Sequence, residues 1–177
     1  MAYPKITVNT GLAQEVISSD TLPIPSPNLS VLSGTTTART ANKLVDVGAD
    51  FSNVSVGDII YNTTDNTSAT VTAIDTSTIL SVSADIFTSP EDYKIFLGGP
   101  NGSSRIDSSE GCLLYVGSND ATMDIAKSYV DIKVQTTAGS DITFANFPVG
   151  NYLPIQILKL YTTGTDAASR NSCIAIW

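Results

Sequence analysis

Histidine is absent from this chain of 177 residues. That removes the commonest general acid–base group near neutral pH and the commonest imidazole metal ligand. Ser-His-Asp triads, Cys-His dyads and histidine-based zinc or iron centres are excluded with it. Cations are also scarce: 9 Lys and Arg stand against 17 Asp and Glu, for a net charge of −8. No basic run interrupts the acidic balance, so neither nucleic acid nor an anionic membrane is an expected partner. No apolar run is long enough to span a bilayer, and the start MAYPKITVNTG lacks the cationic and apolar regions of a signal peptide. The expectation is a chain made in the cytoplasm and soluble until it assembles. Cysteine is limited to Cys112 and Cys173, in the apolar contexts GCLLYVG and NSCIAIW. Both read as buried free thiols, which pack as small hydrophobes. A disulfide between them requires neighbouring strands, which spacing alone does not establish.

Long helical periodicity is missing as well. One or two turns around Leu12 to Ile17 are the sole helix expected. Thr, Ser, Val, Ile, Asp and Gly dominate, and β-branched residues favour a pleated surface. The fold class expected is all-β: two small antiparallel barrel or sandwich modules behind an extended N-terminal arm. The arm covers residues 1–34. Pro23, Pro25 and Pro27 alternate there, each removing a backbone donor and fixing φ, so this stretch is neither a helix nor a central strand. Its apolar residues Leu22, Ile24, Leu29, Val31 and Leu32 need a surface to lie on, which a disordered tail would not. They are assigned to an assembly arm held by a neighbour.

Residues 35–98 form a barrel-like module, with strands expected at 43–47, 58–62, 69–75, 79–84 and 93–97. Turn signals separate them, and Leu80, Val82 and Ala84 alternate with Ser81 and Ser83. GGPNGS marks the junction to a C-terminal sandwich over residues 99–177. Its strands are expected at 112–116, 122–125, 129–136, 141–144, 153–162 and 171–176. Val130, Ile132 and Val134 face one way and Asp131, Lys133 and Gln135 the other, as in a half-buried strand. The chain ends in CIAIW, so Ile174, Ile176 and Trp177 are expected to pack as a last strand inside the sheet.

Signatures of chemistry are few. There is no GxxxxGK[ST], GxGxxG, CxxC or HExxH, and neither Lys127 nor Lys159 sits in an SxxK context. Asp46, Asp50 and Asp58, and Asp65 and Asp75, lie close in sequence, but no spacing resembles a calcium loop. They read as turn caps bonded to nearby backbone. The aromatics, among them Tyr61, Tyr93, Phe96, Tyr115, Tyr129, Phe144, Phe147, Tyr152 and Tyr161, read as core and edge packing. A carbohydrate platform would need exposed, coplanar rings. No catalytic residue, cofactor or metal ligand is assigned, and the chain is expected not to be an enzyme.

Two stretches carry a resemblance. Residues 44–87, LVDVGADFSNVSVGDIIYNTTDNTSATVTAIDTSTILSVSADIF, resemble a small β module recurrent in tailed-phage structural proteins. CLLYVG, then TTAGSDITFANFPVGNYLPIQILKLYTTGT, then an apolar strand ending in Trp177, resemble the head spike-base proteins of tailed phages and phage-like gene-transfer particles. The module of residues 35–98 is additional to that pattern. The resemblance implies a virion structural protein, made in the host cytoplasm: a capsid-exterior decoration or head spike-base subunit. Its implied partners are the major capsid protein or other virion proteins and further copies of itself, as a trimer or pentamer. A neck or tail component that anchors fibres, and a module that binds host carbohydrate, are the alternatives.

Overall fold

Short stretches of alternating apolar and polar residues, broken by Gly, Asn and Asp turns, settle into thirteen strands among the described residues. The computed structural model describes residues 11–88, 90–98, 111–118 and 128–177. The strand expected at 122–125, Lys127 and all of the GGPNGS junction except Gly98 lie outside them. The described residues are nearly all β, with 46% strand and 4% helix. The helical part is two single turns, Pro27–Leu29 and Phe51–Asn53.

Six strands make one antiparallel sheet in the order β2-β7-β4-β5-β6-β3. They are β2 (Ser30–Thr35), β3 (Lys43–Val45), β4 (Ile59–Asn62), β5 (Thr67–Thr76), β6 (Ile79–Val82) and β7 (Asp92–Phe96). The sheet curls until Ala38, just past β2, bridges Val45 of β3, with Thr37 N–H donating to Val45 O at 2.8 Å. Leu44, Phe51, Ile60, Leu80, Tyr93 and Ile95 fill its interior. Tyr93 donates its buried hydroxyl to Asp46 Oδ2 at 2.8 Å. Gly34 makes room for that bond, since a Cβ there would meet the Tyr93 hydroxyl at 2.6 Å.

The remaining strands form a sandwich. One sheet has the order β1-β13-β8-β11, from β1 (Ala13–Glu15), β8 (Leu113–Val116), β11 (Asn151–Tyr152) and β13 (Ile174–Ile176). The other is β10-β9-β12, from β9 (Tyr129–Thr136), β10 (Asp141–Pro148) and β12 (Ile157–Leu160). Leu114, Val116, Ile132, Val134, Ile157, Leu160, Cys173 and Ala175 pack between them. The curled sheet is inserted between β1 and β8 in the chain.

Three expectations are corrected. Residues 13–15 form β1 rather than a helical turn, because antiparallel pairing with β13 supplies hydrogen bonds a lone turn would lack. The span assigned to the arm belongs to both β units. Ile24 is buried in the sandwich core, and Leu22 packs with Ile17, Ile59, Tyr61 and Phe96. Val31 and Leu32 lie on β2 and pack on the core of the curled sheet, and Leu29 is half-buried, its carbonyl accepting from Leu97 N–H. The prolines end at Pro27, so backbone donors are restored in time for β2 to pair with β7. These side chains therefore lie on their own chain and not on a neighbour. At the C-terminus β13 does sit between two strands. Its pleat, however, buries Cys173 and Ala175, leaving Ile174 and Ile176 half-buried on the other face and Trp177 packed at the edge of the core.

If Ile24 belongs to the chain's own core, Ile24→Ala should destabilise the isolated, unassembled protein by about 2–5 kcal/mol. Denaturant unfolding measures this. An unchanged midpoint would return the segment to the role of an arm awaiting a partner.

Candidate functional site

A sandwich has two open sides, where edge strands carry unpaired peptide groups. Here the sides differ. On one, β1 pairs with β13, and Val16 N–H and Trp177 N–H extend that contact to Cys173 O and Leu12 O at 3.0 Å each. The chain then crosses to the other sheet and runs along β12. Ser19 N–H donates to Leu160 O at 2.9 Å and Ile24 N–H to Leu158 O at 2.8 Å. Asp20 locks the crossing, accepting from Thr163 N–H at 2.9 Å and Thr163 Oγ1 at 2.7 Å. Those bonds hold its carboxyl below the usual aspartate range. The Pro-rich segment is thus a seal over one side.

On the opposite side, β10 pairs only with β9, and β11 only with β8, among the described residues. A two-residue link, Val149 and Gly150 at φ +84°, joins these two edges. Ile142 stands opposite Val134, and Phe144 opposite Ile132, so both point to the inner face of the sandwich. Yet Ile142 is 38% exposed, at the open edge of that face. Tyr129, opposite Pro148, is 52% exposed, and Tyr152 is 56% exposed with its ring edge-on to Tyr115. Phe144 and Phe147 stack edge to face beside a bulge at Ala145 and Asn146, where Asn146 takes φ +51°. β10 carries one charged residue, Asp141, and it accepts the Tyr161 hydroxyl at 2.7 Å. Burial, then Asp141, pushes Tyr161 up to about 12. The result is a nearly neutral, partly aromatic edge on a chain of charge −8.

The sequence named Tyr129, Phe144, Phe147 and Tyr152 as packing residues and did not mark Ile142 at all. The rings here are tilted: Tyr115 and Tyr152 meet at 61° and Phe144 and Phe147 at 79°. They do not form the coplanar platform a sugar ring would stack on.

The carboxylates take up backbone and side-chain donors. Asp46 accepts from Gly48 N–H, Asp50 from Ser52 N–H, and buried Asp58 from Ser55 N–H and Gly98 N–H. Asp75 binds Lys43 and Ser81. Sequence reading missed Glu91, which is 5% exposed and accepts from Thr88 Oγ1 at 2.5 Å, Thr88 N–H at 2.7 Å and Asn62 Nδ2 at 3.0 Å. Burial works to raise its carboxyl, but these donors outweigh it and hold it below the ordinary value of about 4.5. Asp65 is raised, first by its hydrogen bond to Glu91 and then by burial and the Glu91 charge.

The cysteines cannot pair. Register places Cys173 opposite Val116, four positions from Cys112, or about 13 Å along the strand; a disulfide needs Cα atoms about 4.4–6.8 Å apart. Burial pushes the Cys112 thiol up to about 12 and that of Cys173 to about 11. No protein-family model, curated protein or solved structure matches the chain.

Glu91 gives the curled module its pH signature. A depressed folded pKa contributes stability above the unfolded value, lost as pH falls through the folded one. The melting temperature should therefore drop as pH falls below about 4.5, and Glu91→Gln should lower it near neutrality and flatten that acid slope. Parallel slopes for both proteins in a pH series of thermal melts would contradict the assignment.

Proposed function

We propose that this chain is a non-enzymatic structural subunit of a tailed-phage virion, a capsid-exterior decoration or head spike-base protein. It meets further copies of itself and other virion proteins through the open side of its sandwich. The observation that carries the reading is the asymmetry of the two sides. The chain spends residues 12–24 closing β13 and β12, while β10 and β11 keep edges free among the described residues, beside exposed Ile142, Tyr129 and Tyr152.

Free edges are templates for strand addition, and monomeric proteins blunt them with charge, proline or a cover. β10 has Pro148 at its end and a bulge near its middle, but Asp141 to Phe144 remain regular. Strand addition draws affinity from main-chain hydrogen bonds and specificity from alternate side chains. The near-neutral edge suits contact between acidic subunits, which repel elsewhere. The resemblance of CLLYVG and the 136–165 stretch to spike-base proteins supplies the virion context.

The test is charge inserted at the edge. Tyr129→Lys combined with Tyr152→Lys lies on positions more than half exposed, where substitutions usually shift stability by less than about 0.5 kcal/mol. The double variant should melt like the parent, remain monomeric in sedimentation where the parent associates, and be excluded from particles. Wild-type association and incorporation by the variant would overturn the reading.

A further inference from the structure

The module's outer face and the start of the sandwich enclose a cleft of about 360 Å³, within the roughly 300–1,000 Å³ range of small-molecule sites. Ile60 and Ile95 face the module core, so their neighbours Tyr61 and Lys94, opposite one another in register, face outward. They form one wall, and Gln14, Glu15 and Ile17, in and just after β1, form the other.

Tyr61 is 3% exposed, its ring edge-on to Phe96 at 5.4 Å. Its hydroxyl bonds no described residue. That oxygen is open to the cleft, since the fully enclosed side-chain oxygen left without a partner among the described residues is Thr67 Oγ1. Around it stand further side chains with capacity to spare. Asn66, held at φ +56° in the β4–β5 turn, has an unpartnered amide among the described residues. Gln14 uses only its Nε2, on Pro25 O at 3.4 Å, leaving Oε1 to accept. Exposed Glu15 and Lys94 stand on separate walls, and neither forms an ion pair among the described residues. Ile17 and Pro27 supply apolar surface.

We infer that this cleft binds a neutral pyranose sugar. Tyr61, Asn66 and Gln14 line the cleft with uncharged donors and acceptors. A pyranose presents hydroxyls to the Tyr61 hydroxyl, Asn66 and Gln14, and its C–H face to Ile17 and Pro27. Glu15 and Lys94 at the rim cancel in charge and serve as acceptor and donor to outer hydroxyls. The inference is independent of the assembly reading, because the cleft lies on β1, β4 and β7 and not on β10 or β11.

Saturation-transfer NMR and calorimetry on the full chain test it, with glucose, galactose, mannose and N-acetylglucosamine as probes and glycine and alanine as zwitterionic comparisons. At least one sugar should bind saturably. Tyr61→Phe, which keeps the ring, should weaken it roughly tenfold by removing a hydrogen bond. Asn66→Gly, which accepts the positive φ, should weaken it as well. The edge variant carrying Tyr129→Lys and Tyr152→Lys should bind sugar like the parent, so failure of one reading leaves the other standing. No saturable sugar binding, affinity unchanged in both cleft variants, or binding of the amino acids in place of sugars would each overturn the inference.

Discussion

Every β-sandwich has to deal with the peptide groups on its edge strands, and this chain closes one side with its own backbone. The bonds from Ser19 to Leu160 and from Ile24 to Leu158, with β1 along β13, make the N-terminal segment part of both sheets. The rest follows from that seal. Ile24 and Val16 become core residues, and Leu22 and Ile17 are carried onto the outer face of β4 and β7, where they join the sandwich to the curled module. The cleft beside Tyr61 exists because β1 stands next to that face. Among the described residues, the free edges at β10 and β11 are what remains once the covering segment has been used elsewhere.

The two β units differ in how they are held. The curled module combines an apolar interior with buried polar ties: Tyr93 to Asp46, Asp58 to two backbone donors, and Glu91 to Asn62 and Thr88. Unpaired, each of these groups would be costly in the interior. Paired, they pin turns to strands, which suits a short barrel with little core. The sandwich relies on apolar packing, with two inert thiols counted among its hydrophobes.

Much of the architecture was legible in the sequence because its signals were local. Alternation at Leu80 and Val82, and the strand from Tyr129 to Thr136, appear where expected, as does the all-β class. The turn-like placement of Asp46, Asp50 and Asp58 was also readable, since each accepts from backbone two or three residues away. What escaped was long-range. The prolines correctly signalled an extended segment, but nothing in that stretch could say that its surface was β12 of the same chain, far along the sequence. Ile24 looked like a residue awaiting a neighbour because its partners, Leu158 and the core around it, are distant. Ile142 was missed for the complementary reason: its alternation with Phe144 is that of a core residue, and its exposure is set by strands distant in sequence. Glu91 was hidden in a turn-like TSPED, where burial could not be read.

Hydrogen exchange followed by mass spectrometry, on the free chain and on assembled particles, tests the central claim that one side is sealed internally and the other is kept for assembly. Residues 13–24 should be protected in both states. The amides of residues 141–148 and 151–152 should exchange faster in the free chain and become protected on assembly. Protection of 13–24 that appears only in particles, with β10 unchanged between the two states, would contradict the account.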